Sequence, residues 1–218
     1  MRTVIFDLDG TISDSSGGIF QSFNYALNKM NSLAILRTEV NRYIGPPLKD
    51  SFSSLLGTSD DAALEDAVRY FREDYTTVGY KINELYEGID EVLLQLTKCG
   101  YCLFIATTKK TDTACDVLRH FQLDQYFQGI YGGASEIPKP ELVQYILNEN
   151  NCVKDKSVLI GDTHYDINAA KINNIFSIGA AWGFGENVEI STADVVIDLP
   201  EELLQHIERL IGCQQYVL

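Results

Sequence analysis

Thr3-Val4-Ile5-Phe6-Asp7-Leu8-Asp9-Gly10-Thr11 begins as an apolar run and breaks at Asp7 into two acids and a glycine. A short apolar run closed by turn residues reads as a buried strand. The same pattern recurs downstream in Tyr101 to Ala106, Ile130 to Tyr131, Ser157 to Ile160, Ile175 to Gly179 and Val195 to Ile197. Helical stretches separate these runs: Ile89 to Lys98, Thr111 to His120, Glu141 to Asn150, Tyr165 to Asn173 and Glu201 to Leu210. Strands alternating with helices of this length predict right-handed βαβ units and a mostly parallel sheet covered on both faces. The expected class is therefore α/β.

The rhythm fails once, directly after the first strand. From Asp14 to about Lys81 there is only helical periodicity. Leu64, Ala67, Val68, Phe71, Tyr75 and Val78 form one stripe, and Ile19, Phe20, Phe23, Leu27 and Met30 another. Both stripes read as core. The simplest division is an α/β core of residues 1–13 and 83–218 with a small helical module of residues 14–82 inserted after strand one. Ser13 to Gly18 and Tyr80 to Gly88 are the expected hinges.

Composition narrows the partners. The 218 residues are 45% hydrophobic and 22% charged, enough for a substantial core. With 31 acidic against 17 basic residues, the formal net charge is -14. Such a field disfavours nucleic acid and anionic membrane as partners. It also repels anionic substrates, so a phosphate site would need a metal and a few lysines. No segment is long and apolar enough to span a bilayer, and the N-terminus enters a strand without room for a signal peptide. Five cysteines (Cys99, Cys102, Cys115, Cys152, Cys213) show no framework spacing and read as reduced thiols in a cytoplasmic protein. Cys99-Gly100-Tyr101-Cys102 fits a C-x-x-C pattern, but Cys99 closes a helix instead of opening one. No second ligand pair is visible, so the pair reads as thiols beside a turn.

Four strand ends carry complementary chemistry. Alternation along an extended chain lets Asp7 and Asp9 point to one side, where two carboxylates repel unless a cation compensates. Gly10 suits a tight turn whose backbone N–H groups would cradle a phosphate. After Leu103 to Ala106 come Thr107, Thr108, Lys109 and Lys110, offering hydroxyls to a phosphate oxygen. Lys139 stands between Pro138 and Pro140 as a single stiffly held cation. Val158-Leu159-Ile160-Gly161 delivers Asp162 to a strand end, with Asp166 one helical turn later. Oxygen donors from separate strand ends suit a hard cation such as magnesium. Loops after the carboxyl ends of parallel strands meet at one crevice, so these groups are expected to share it.

Taken together, "FDLDGTISDS", "ATTKK", "PKP", "IGDTHYDINAAK" and "AAWGFG" resemble the motifs of the haloacid dehalogenase superfamily, in its phosphoglycolate-phosphatase-like branch. The resemblance implies a Rossmann-like core, with the module after strand one as an all-helical cap. Tyr43 to Lys49 ("YIGPPLK") is similar to a cap loop that approaches the active site in related enzymes. It implies a phosphatase that hydrolyses a small phosphorylated metabolite, phosphoglycolate-like or a 5′-nucleotide, with Mg2+ as cofactor. Asp7 would be the nucleophile that forms an aspartyl-phosphate, and Asp9 the general acid and base. Magnesium would be held by Asp7, the Asp9 carbonyl and Asp162, with Asp166 behind them orienting a water. Thr107, Lys139 and N–H groups near Gly10 would bind phosphate. Thr108 stands where many relatives carry asparagine, so its contact with substrate is left open. His164 is expected to be an exposed bystander. A pyrophosphatase or phosphomutase on the same scaffold is the alternative. A phospho-aspartate signalling switch is the non-enzyme rival, but its phosphorylated acid ends a later strand and it has no inserted cap.

Overall fold

The structure is a computed structural model, described here for residues 1–133 and 137–212; Cys213 lies outside the described residues. The chain divides into two compact units, one of residues 1–13 and 85–218 and one of residues 14–84.

The first unit opens with β1 (Thr3–Phe6), buried along its whole length as the apolar run requires. The chain leaves this unit through β2 (Ser13–Asp14) and re-enters it through β3 (Glu84–Leu85); these two short strands pair with each other.

In the helical unit, α1 (Ser16–Lys29), α2 (Leu48–Leu56) and α3 (Asp61–Tyr75) surround an aromatic centre. Fully buried Phe23 lies 5.7 Å from the ring of Tyr43, 5.1 Å from Phe52 and 4.9 Å from Phe71. Both predicted stripes supply this core, with three exceptions. Phe20 and Met30 are only half-buried, and Val78 is exposed because α3 ends at Tyr75. The Thr76 and Thr77 hydroxyls there turn back onto the carbonyls of Arg72 and Glu73, closing the last turn before Val78 is reached. Pro47 is the cap residue immediately before α2.

After β3 the first unit resumes with α4 (Ile89–Lys98), β4 (Cys102–Thr107), α5 (Thr111–His120), β5 (Phe127–Gly132) and α6 (Lys139–Glu149). It continues with β6 (Ser157–Gly161), α7 (His164–Asn173), β7 (Phe176–Ala180), the short α8 (Asn187–Ile190), β8 (Val195–Ile197) and α9 (Leu203–Ile211). Six strands form a parallel sheet in the order β5-β4-β1-β6-β7-β8. This is the α/β, Rossmann-like class expected. Phe6 stands level with Ile105 on one side and Ile160 on the other, so β1, β4 and β6 end together. The chain builds outward from β1 first through β4 and β5, then through β6 to β8. The order thus reverses beside β1, where a crevice opens at the carboxyl edge.

One face of the sheet packs Ile5, Phe104 and Leu159 against Val143, Ile146, Ala169 and Ala170 from α6 and α7. The apolar stripes of α4 (Val92, Leu93, Leu96) and α9 (Leu203, Ile207, Ile211) are buried as well. Each fully buried Leu, Ile or Phe contributes about 1.5–3 kcal/mol, so this core holds the strand ends in fixed register. The helix expected at Glu141 starts two residues earlier, at Lys139, because Pro138 and Pro140 suit a helix start. Cys99 is exposed at the end of α4 and Cys102 opens β4; both are free thiols.

Candidate active site

Asp7 extends β1 by one residue, its N–H donating to the Ile160 carbonyl at 2.9 Å. The chain then turns, with the N–H groups of Ile12 and Ser13 both returning to the Leu8 carbonyl at 2.9 and 3.1 Å. Gly10 takes φ +83°, and a Cβ on it would stand 2.2 Å from the Asp162 carboxylate. Its N–H donates to Ser13 at 2.9 Å. Closure of the turn thus engages this particular amide. Glycine is required here for backbone conformation and for the close approach of Asp162.

Asp162 follows β6 and is fully buried. Its Oδ2 accepts from the Phe184 N–H at 2.8 Å and the Gly185 N–H at 3.4 Å, and its Oδ1 from the Thr11 hydroxyl at 3.2 Å. The Trp182 indole N–H donates to the Thr11 carbonyl at 3.1 Å, tying this turn to the one after β1. Two glycines permit that approach. A Cβ on Gly183 would meet the Asp162 Cβ at 2.2 Å, and one on Gly185 the Asp162 carbonyl at 1.9 Å. Thr163 caps α7 and exchanges hydrogen bonds with Asp166, whose Oδ2 accepts from the Thr163 N–H at 3.1 Å and hydroxyl at 2.7 Å.

Lys139, the first residue of α6, reaches Asp7 Oδ1 at 3.0 Å and also donates to Asp166 Oδ1. Oxygens of Asp7, Asp162 and Asp166 lie within 4.8 Å of one another. Three acids therefore face one ammonium, which leaves two negative charges uncompensated if all are ionised. Burial and this crowding shift the pKa values of the groups. Burial pushes Asp7 up to about 8 against the pull of Lys139, with repulsion from Asp166, Asp162 and Asp9 adding to the rise. Burial and then Asp166 push Asp162 up to about 7, opposed by the Phe184 N–H and Lys139. Burial alone would lower Lys139, but Asp166 and Asp7 outweigh it and hold its pKa above the ordinary lysine value. A cluster of carboxylate oxygens short of two positive charges fits a hard divalent cation.

Thr107 ends β4 at the same sheet edge and is buried; its hydroxyl accepts from the Lys109 N–H at 3.2 Å. Thr108 follows it, half-buried. Asp9 is paired with Lys109, Nζ to Oδ2 at 2.6 Å. His164 is exposed, with its ring 3.4 Å from Glu189.

The predicted residues are thus brought to one edge, but the partners that orient them were missed. Lys109 sits in a run noted only for its hydroxyls. Thr11, Trp182, Phe184 and Gly185 were read as motif letters. The signal available for the last three was a glycine-spaced turn following β7, at the edge where the other acids end.

The profile of the family described as "Haloacid dehalogenase-like hydrolase" matches residues 4–180. A 5′-nucleotidase of Pseudomonas aeruginosa is 33% identical over 190 residues, 86% of each chain. A phosphoglycolate phosphatase of Colwellia psychrerythraea is 29% identical over 220 residues, covering 95% of this chain and 97% of its own. Among solved structures, a predicted phosphatase from Clostridium acetobutylicum superposes with a TM-score of 0.89 at 34% identity, covering 96% of this chain and 99% of its own. The protein tyrosine kinase A (PtkA) of Mycobacterium tuberculosis shares the fold too, with a TM-score of 0.80 at 29% identity, covering 94% and 97%.

Proposed function

This chain belongs to the haloacid dehalogenase-like hydrolases, and on that premise we propose that it hydrolyses a small phosphomonoester through an acyl-phosphate of Asp7. The observation that carries the reading is the environment of Asp7: a strand-end carboxylate with Lys139 at 3.0 Å and two further acids within 4.8 Å.

In this reading Asp7 attacks phosphorus and the ester oxygen departs, so one hard displacement becomes two easier ones. Asp9, two residues on, protonates the departing alkoxide and then takes a proton from the water that cleaves the acyl-phosphate. Lys139 and the Thr107 hydroxyl bind phosphoryl oxygens, and Lys139 also keeps Asp7 oriented. Asp7, the Asp9 carbonyl and Asp162 would hold magnesium, which neutralises charge on the phosphoryl oxygens and on the acids. Thr11 and the N–H groups of Phe184 and Gly185 orient Asp162 for that role. Asp166 anchors Lys139 and the cap of α7, a position behind the ligands.

The helical unit of residues 14–84, inserted straight after the Asp9 turn, is read as the cap that selects the substrate. The names of its relatives favour a phosphoglycolate-like or 5′-nucleotide ester. A magnesium-supported phosphate-release screen over such esters, sugar phosphates and pyrophosphate tests the class. Turnover of at least one phosphomonoester is expected. Release from pyrophosphate alone, or from none of the panel, would overturn the reading. For the intermediate, acid-quenched enzyme is expected to carry substrate phosphate on the peptide containing Asp7. Label on any other residue would exclude Asp7 as nucleophile.

A further inference from the structure

The pair between Lys109 and Asp9 has no part in the mechanism above, yet it touches the residue that handles the proton. Lys109 Nζ stands 2.6 Å from Asp9 Oδ2, and both side chains are largely buried, at 12% and 13% exposure. The other oxygen, Asp9 Oδ1, is buried and has no hydrogen-bond partner. Buried polar atoms of native proteins are nearly always paired, so an orphaned carboxylate oxygen at a sheet edge marks a place for a bound group.

The loop that carries Lys109 is held rigidly. Its N–H donates to the Thr107 hydroxyl at 3.2 Å, and Lys110 bridges to Gly133. The loop also lies flat on Gly132, where a Cβ would stand 2.4 Å from both the Lys109 carbonyl and the Thr111 nitrogen. The ammonium is therefore presented from a fixed backbone, as a positioning group must be.

We propose that Lys109 is a positioning residue that selects the oxygen with which Asp9 exchanges its proton; this rests on the acid–base role assigned to Asp9 above. A carboxyl group offers two oxygens that interchange by rotation, and proton transfer needs one of them within hydrogen-bond reach of the ester oxygen. A lysine ammonium only donates. The oxygen it holds must go on accepting, so the transferable proton resides on Oδ1, the buried atom without a protein partner. No co-reactant is required: the proton leaves Asp9 Oδ1 for the alkoxide and is replaced from the attacking water.

The test is the dependence of kcat/KM on the acidity of the leaving alcohol, across phosphomonoesters from nitrophenyl to simple alkyl esters. This parameter covers the steps through departure of the alkoxide. Lys109→Met is expected to lower kcat/KM about 10²-fold on alkyl esters, the lower end of what acid–base assistance supplies. On the most acidic phenol esters, which leave without protonation, the loss should stay within about threefold, so the dependence steepens. Lys109→Arg, which keeps a donor-only cation, is expected to restore the shallow dependence. If Lys109→Met does not fold, Lys109→Gln is read in its place, because its amide both donates and accepts and no longer selects one oxygen. An equal loss on every ester, or no loss, overturns the inference. Asp9→Asn separates the two levels of the argument. If it steepens the dependence and the Lys109 variants do not, Lys109 has no such role while the acid role of Asp9 stands. If Asp9→Asn itself leaves the dependence unchanged, the acid role fails and the Lys109 inference with it.

Discussion

Asp7 and Asp162 are buried carboxylates whose pKa values stand near 8 and 7, well above the ordinary value of 3.8. A carboxylate raised on folding binds its proton more tightly in the folded chain. Its stabilising contribution is complete below about pH 4 and is lost as pH rises toward the folded value. The metal-free protein should therefore lose thermal stability steadily between about pH 4 and pH 8. Magnesium should raise the melting temperature more at pH 8 than at pH 5, because it competes with those protons. Melting curves with chelator and with magnesium at both pH values check this; an equal effect at both would contradict it. Asp7→Asn removes one of the repelling charges. It is expected to cut phosphate release by at least about 10³-fold and to flatten the metal-free pH dependence while the chain stays folded. Steady-state release and melting on the same preparation decide both halves. Asp7 and Asp162 were legible because each directly follows a strand, Asp9 by its two-residue spacing from Asp7, and Lys139 by the prolines on either side of it. Their orienting partners were not. Lys109 lies 100 positions from Asp9 and Thr11 lies 151 from Asp162, and no local pattern links residues so far apart.

At the scale of elements, the turn after β7 works through its lack of side chains. Gly183→Ala would drive a Cβ into the Asp162 Cβ at 2.2 Å and the Gly10 carbonyl at 2.4 Å, neither of which is the free end of a flexible chain. It is expected to cost about 1–3 kcal/mol by strain and close contact and to weaken magnesium-dependent stabilisation more than it weakens the fold. Urea unfolding with and without magnesium separates these effects. In the helical unit, Phe23→Ala empties the centre of the aromatic cluster formed with Tyr43, Phe52 and Phe71. A loss of about 3–5 kcal/mol is expected for a fully buried phenylalanine, checked by urea unfolding. Strands and helices of the sheet unit were legible from apolar runs and periodicity, with ends displaced by up to three residues, the largest at the start of β5. The start of α6 at Lys139 was missed because prolines stop a helix in most positions and only its first turn accepts them. Val78 was assigned to a helix face that ends three residues earlier, since periodicity carries no information about where a helix stops.

For the molecule as a whole, a formal net charge of -14 sets a repulsive field against any anionic ester. Raising ionic strength from about 10 mM to about 150 mM shortens the Debye length from about 30 Å to about 8 Å. At constant magnesium, kcat/KM for a phosphomonoester should therefore rise by a few fold, measurable as initial rates in added potassium chloride; a steep fall would show that local cations dominate the approach. Among the described residues no helix is long and apolar enough to cross a membrane. By itself the amino-acid sequence determined the alternation of strands and helices, the interruption after β1 and the residue types at each strand end. Those features depend on neighbours a few positions apart, where periodicity and turn chemistry act. Only the tertiary structure decided which acid pairs with which lysine, that the Gly10 amide is engaged within its own turn, and that Asp162 is gripped from Thr11 and the turn after β7. These contacts exist because β1, β4, β6 and β7 end in register at one edge, which the packing of their side chains on both faces of the sheet brings about.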